Sequence, residues 1–144
     1  MTLIQTIIHA LTVHPIHTLL VHFPIALTTS AFFFILLALV KKSDLLEKIA
    51  FANLSLAAVS TIVAGAAGIM DNIKYYGGLA PNHTTKIILA STLFVLSSAT
   101  AIIRWTMPNL FHSRAKWLYV LMYFIFFAIA SVLGYLGGVI VYGK

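Results

Sequence analysis

The chain lacks cysteine and has little charge, and each absence excludes a class of site. Without cysteine, the 144 residues cannot form a disulfide, ligate zinc or an iron–sulfur cluster through thiolates, or attach a c-type haem covalently. Only 8% of the residues are charged and 61% are hydrophobic, with a mean hydropathy of +1.03. Because about a quarter of a soluble globular domain is charged, this composition excludes an ordinary soluble fold.

Acidic residues are scarcer than basic ones, with three Asp/Glu against nine Lys/Arg and a net charge of +6. The basic residues stand in short clusters beside apolar runs, and no basic tract is interleaved with aromatic residues. This pattern is typical of membrane topology signals and argues against nucleic-acid binding. The sequence also lacks a phosphate-cradling glycine loop and a nucleophile with an obvious base beside it. We therefore expect an electron-transfer or accessory subunit rather than a stand-alone enzyme.

Long apolar runs take up most of the chain. They cover residues 16–40, 46–70, 86–107 and 117–142. Each is near or above the roughly 20 residues that an α-helix needs to cross a bilayer, and a helix satisfies its own backbone hydrogen bonds in lipid. The short connections favour antiparallel neighbours. The sequence predicts an all-α membrane protein, a single four-transmembrane-helix up-down bundle over residues 1–144, with a short interfacial helix within residues 1–13.

The basic residues are divided unequally between the two sides of this bundle. The loops after the first and third runs contain Lys41, Lys42, Lys48, Arg104, Arg114 and Lys116, and the opposite side contains Lys74, Lys86 and Lys144. Because short cytoplasmic loops are enriched in Lys and Arg, this bias predicts that both termini lie outside.

Histidines collect at the end of the bundle that is poorer in Lys and Arg. If the first span begins near Pro15, His22 lies about 10 Å further along the helix, inside the bilayer. An ionisable residue there usually has a function, although a histidine hydrogen-bonded to a neighbouring helix is the alternative. His14 precedes His22 by two helical turns, and His83 stands at the start of the third span, where a surface histidine is the alternative.

Glycines of the fourth span form a second group. Gly134, Gly137 and Gly138 fall at about the depth of His22 when both spans are counted from the same surface. Small residues on one helix face permit close helix packing or leave room for a flat ligand. A histidine opposite a glycine-lined gap is what a haem-binding four-helix bundle requires, because iron needs an imidazole and the porphyrin needs space.

These residues also resemble a known family. The motifs are His14-Pro15, His22-Phe23-Pro24-Ile25-Ala26, and Gly134-Tyr135-Leu136-Gly137-Gly138 followed by Val141-Tyr142. With the four spans, they resemble the predicted bacterial and archaeal membrane proteins called domain of unknown function 2231. Some members occur fused to or beside Rieske and cytochrome c domains, which implies a prokaryotic cell membrane and a redox setting. The family usually has Trp where this chain has Tyr135, and it often continues with a His-Gly pair beyond the position of Lys144.

Our leading hypothesis is an integral membrane subunit that binds haem b and passes electrons within a respiratory or redox complex. The expected iron ligands are His22 with His14 or His83, and Gly134, Tyr135, Gly137 and Gly138 are expected around the cofactor. The expected partners are the lipid bilayer and other membrane or redox subunits, without nucleic acid. Two alternatives stay open, namely a cofactor-free anchoring subunit of a larger complex and a histidine-based metal site that includes Asp71.

Overall fold

The fold is seen in a computed structural model that describes the backbone of residues 20–142 and the side chains of residues 20–139. Its helices are α1 (His22–Lys41), α2 (Asp44–Tyr76), α3 (His83–Thr106) and α4 (Lys116–Tyr142), with a 3-10 helix, η1 (Leu110–His112), before α4. All four α-helices contain stretches long and apolar enough to cross a membrane. The predicted all-helical, four-span architecture is confirmed, and residues 20–142 contain no strand.

The connection between α1 and α2 is only two residues long. Lys42 adopts the left-handed conformation at φ 50°, and its backbone N–H donates to the Ala38 carbonyl. Ser43 then caps α2, because its hydroxyl accepts a hydrogen bond from the backbone N–H of Leu46 at 3.4 Å. The two helices therefore form a tight antiparallel hairpin.

The connection between α2 and α3 lies at the other end of the bundle. Gly77 and Gly78 take φ values of 57° and 85°, which favour glycine and end α2. The Asn72 side chain accepts a hydrogen bond from the backbone N–H of Ala80 at 2.9 Å. This bond folds the connection back onto the last turns of α2, close to the start of α3.

Packing follows the order of the helices around the bundle. Helix α1 packs against α2 and α4, and α3 packs against the other sides of α2 and α4. The buried faces meet in a core that includes Ile35 of α1, Leu54 of α2, and Tyr123 and Phe126 of α4, none of which is accessible to solvent. Many large apolar side chains are nevertheless exposed on the outer surface. Such a surface suits a bundle whose surroundings are lipid.

Pro24 lies in the first turn of α1, which begins at His22. The missing N–H of proline removes no helical hydrogen bond there, because the first donors of a helix have no partner within it. The predicted interfacial helix, His14 and residues 16–19 of the first run lie outside the described residues.

Candidate functional site

The end of the bundle where α1 and α3 begin, here called the histidine end, places His22 beside the glycines of α4. A Cβ built on Gly134 would lie 3.4 Å from Cδ1 of Ile25, so α1 and α4 meet at these two residues. The helices are antiparallel neighbours, and both His22 and Gly137 stand three residues nearer this end. At a rise of 1.5 Å per residue, each lies about 4.5 Å beyond the contact. The fold therefore brings His22 level with Gly137 and Gly138.

The three glycines of α4 differ in how closely other residues pack against them. A Cβ added at Gly137 or Gly138 would meet no atom of the described residues within 4 Å, whereas the one at Gly134 is in contact with α1. The neighbouring Tyr135 is 73% exposed and belongs to the outer surface of the bundle. Gly134 thus serves helix packing, whereas none of the described residues packs against Gly137 or Gly138.

His83 begins α3 and has a defined orientation. Its Nδ1 lies 2.9 Å from the Ala80 carbonyl, and its Nε2 lies 3.2 Å from the Thr84 hydroxyl. Because a carbonyl oxygen only accepts hydrogen bonds, Nδ1 is the donor in the first contact, and in the neutral ring Nε2 is then the nitrogen with a lone pair. A backbone bond at one ring nitrogen that leaves the other for a metal is common among histidine ligands.

A buried hydroxyl lies deeper in the bundle at the same end. Thr28 is on the inner face of α1, six residues from His22, and only 1% of it is exposed. Its Oγ1 has no hydrogen-bond partner among the described residues. Since buried polar groups are normally satisfied, Thr28 is a free donor for a bound group or a water molecule.

The histidines that the structure describes do not assemble a metal-binding cluster. Residues 20–142 contain no group of three or more His, Asp or Glu side chains placed to hold a metal ion. His22 is exposed at the start of α1, and Asp71 is half-buried near the end of α2. A ligand set with His14 involves a residue outside the described part of the chain.

The opposite end, here called the arginine end, contains a buried ion pair that our sequence analysis missed. Arg104 of α3 donates from Nε and Nη2 to the two carboxylate oxygens of Glu47 of α2, at 2.6 and 2.8 Å. Tyr119 of α4 donates to the same carboxylate at 2.8 Å, and the Tyr123 hydroxyl lies 2.8 Å from that of Tyr119. Because the Tyr119 proton is engaged by Glu47, Tyr123 is the donor in this last bond. The network ties three helices together.

Because this network is buried, its charges are stabilised by hydrogen bonds within the protein rather than by water. Glu47 is 1% exposed and Arg104 is 9% exposed, so water solvates neither charge well. The Arg104 guanidinium also lies over the Phe51 ring, 5.5 Å from its centroid. A buried charge is tolerated when it is paired and hydrogen-bonded, and these contacts meet that condition.

A pocket of about 340 Å³ opens next to the buried pair. Its lining includes Asp44, Glu47, Lys48, Arg104, Phe111 and His112. At its rim, His112 Nε2 lies 2.8 Å from Asp44 Oδ1, and both side chains are more than 60% exposed. This bond links η1 to the first turn of α2. His112 is therefore an exposed residue with a defined partner.

The signal for the buried pair was present in the sequence. Glu47 and Arg104 lie within or next to the apolar runs 46–70 and 86–107. The rule that an ionisable residue in a span is usually functional or paired applies to both, as it does to His22. We had counted Arg104 only as a topology signal.

Comparisons with known proteins fit this architecture. No curated protein and no solved structure matches the chain. A family model described as "Predicted membrane protein (DUF2231)" matches residues 13–144. This match covers both candidate ends of the bundle and every described helix. The chain therefore belongs to the domain of unknown function 2231 family of membrane proteins.

Proposed function

We propose that this chain is an integral membrane subunit that binds b-type haem through His22 and passes electrons between partners. The observation that supports the proposal is the exposed imidazole of His22 at the level of the open face formed by Gly137 and Gly138 on the neighbouring helix. An imidazole is a common axial ligand of haem iron, and a helix face without side chains leaves room for a planar porphyrin.

The residues present fit such a group in three respects. His22 is in the first turn of α1 and exposed, so its ring is accessible to a ligand. Among the described residues, no atom lies within 4 Å of a Cβ built on Gly137 or Gly138, and the buried Thr28 hydroxyl has no hydrogen-bond partner. When bound, b-type haem supplies one-electron transfer.

The second axial ligand in this proposal is His83 or His14. His83 has its proton on Nδ1, towards the Ala80 carbonyl, so Nε2 is the ligating nitrogen. To bind a metal, His83 must exchange its hydrogen bond with Thr84 for the new ligand. Two imidazole ligands leave no open position for a substrate, which favours an electron carrier over an oxygenase.

The visible absorption spectrum of the purified protein tests this proposal. We expect a Soret band in protein produced with a haem supply, and we expect His22→Ala to abolish it. His112→Ala, at the other end of the bundle, is the matched control and should retain the band. Comparing His83→Ala with His14→Ala then identifies the second ligand. A protein without a Soret band, or a His22→Ala variant with an unchanged one, would contradict the proposal.

The same preparation distinguishes the alternatives. A featureless spectrum together with co-purification in a larger membrane complex favours a cofactor-free anchoring subunit, for which the exposed apolar surface supplies contact area. Stoichiometric metal without porphyrin favours the histidine-based metal site. Elemental analysis of the purified protein separates that outcome from haem.

A further inference from the structure

The pocket at the arginine end has no part in the proposed haem site, because it lies where α1 and α3 end rather than where they begin. We propose that it binds the phosphate of an anionic lipid headgroup. Its volume of about 340 Å³ and its lining of charged, polar and aromatic side chains suit such a group. The proposal depends on which charges of the lining are already neutralised.

The buried pair leaves one part of the guanidinium for a ligand. Glu47 binds Nε and Nη2 of Arg104 and also receives the Tyr119 proton, so its carboxylate is compensated within the protein. Arg104 also lines the pocket, and Nη1 is the remaining nitrogen of its guanidinium. An arginine fixed in this way presents a preoriented donor, the kind of group that recognises phosphate oxygens.

Lys48 supplies the second cation of the lining. Asp44, the other acid there, accepts a hydrogen bond from His112 at 2.8 Å. Within the described residues, Lys48 makes no ion pair. The lining balances Lys48 and Arg104 against two carboxylates, and the groups that it offers an anion are the Lys48 ammonium and the Nη1 of Arg104, which Glu47 does not engage.

The surroundings of the pocket are positive and at headgroup depth. This end of the bundle contains six Lys/Arg and two Asp/Glu. Two exposed tryptophans, Trp105 and Trp117, stand on the outer surface next to Arg104 and Lys116. Tryptophan is enriched at the membrane–water interface, and basic residues near it attract anionic lipid. These features favour the phosphate of a lipid headgroup as the occupant.

Lipid titration of the full-length protein in neutral detergent tests the site. Phosphatidylglycerol should bind and raise the thermal unfolding midpoint, whereas phosphatidylcholine should do so far less. We expect Lys48→Gln to weaken phosphatidylglycerol binding about fivefold, the effect of one basic residue near an anionic surface. Lys74→Gln, at the histidine end, is the matched control and should leave binding unchanged.

Three outcomes decide the proposal. Weaker binding by Lys48→Gln alone supports it, and competition by millimolar inorganic phosphate would show that the headgroup phosphate is the part recognised. Failure of phosphate to compete, with the Lys48 effect intact, assigns recognition to the whole lipid. Equal binding by wild type and Lys48→Gln, or equal weakening by Lys74→Gln, would overturn it. Because Lys48 is an exposed side chain, its substitution does not disturb the buried pair.

Discussion

The two ends of the bundle differ in whether their polar side chains are buried. At the arginine end, Glu47 and Arg104 are buried and satisfied by each other and by Tyr119. At the histidine end, His22 is exposed, and no atom of the described residues lies within 4 Å of a Cβ built on Gly137 or Gly138. The comparison therefore sets a buried, hydrogen-bonded ion pair at one end against an exposed histidine and loosely packed glycines at the other.

Removing one member of the buried pair should have the largest effect on stability. We expect Arg104→Ala to lower the free energy of unfolding by about 3 to 5 kcal/mol, because it leaves the Glu47 carboxylate buried and uncompensated. Denaturant or thermal unfolding in detergent measures the loss. The double variant Glu47→Leu with Arg104→Met should recover most of it, since apolar replacement of a whole pair is often nearly neutral. Equal losses in the single and double variants would contradict this account.

The tyrosines of α4 should have a smaller and graded effect. Tyr119→Phe removes a hydrogen bond to a charged carboxylate, which predicts a loss of about 1.5 to 3 kcal/mol. Tyr123→Phe removes only a bond between two hydroxyls, for which about 1 kcal/mol is typical. The same unfolding measurement ranks the two variants. If Tyr123→Phe proved the more harmful, the direction of the hydrogen bonds given above would be wrong.

Substitutions of the α4 glycines test whether the histidine end is open. Gly134→Leu should cost about 1 to 3 kcal/mol, because an added Cβ would lie 3.4 Å from Cδ1 of Ile25 and the further atoms of leucine would have to displace that side chain. Gly137→Leu should leave stability unchanged or raise it slightly, since its Cβ meets no described atom and glycine is a poor helix former. If haem binds there, Gly137→Leu should also remove the Soret band. Equal destabilisation by both variants would show that the two positions are packed alike.

The exposed bond at the rim of the pocket should contribute least. His112→Gln should change the free energy of unfolding by less than about 1 kcal/mol, because Asp44 and His112 are both largely in solvent. Any effect should shrink further when salt is raised to about 1 M, which screens exposed charges. Unfolding at low and high salt checks both expectations. If His112→Gln lowered the free energy of unfolding as much as Tyr119→Phe, the bond between His112 and Asp44 would be as important for stability as the buried network.

Hydropathy predicts the four spans because lipid demands long apolar helices wherever the chain crosses it. Helix α2 nevertheless extends to Tyr76, beyond the apolar run 46–70. It ends there because Gly77 and Gly78 take positive φ values and the Asn72 side chain binds the connection that follows. The orientation with both termini outside stays a prediction, since the helix packing is the same for either direction.

Pairing across the bundle was harder to predict than the spans. Glu47 and Arg104 are 57 residues apart, and hydropathy does not say which charge meets which. The sequence predicts that His22 and Gly137 lie at the same depth, because both are a similar number of residues from the same end of their spans. It does not predict how closely described residues approach that glycine, which depends on how α1 and α4 pack. His14, the other candidate ligand, lies outside the described residues.

The two-residue connection between α1 and α2 has a consequence for biosynthesis. These helices form a local hairpin that can enter the membrane as a unit, before α3 has been made. Glu47 belongs to this hairpin, and Arg104 follows it in the chain by 57 residues, so the two are not made together. At about 5 to 20 residues per second, the carboxylate waits about 3 to 11 seconds for its partner. During that interval Glu47 lacks the arginine that pairs with it in the folded protein, so the packing of α3 against α2 completes this end of the bundle.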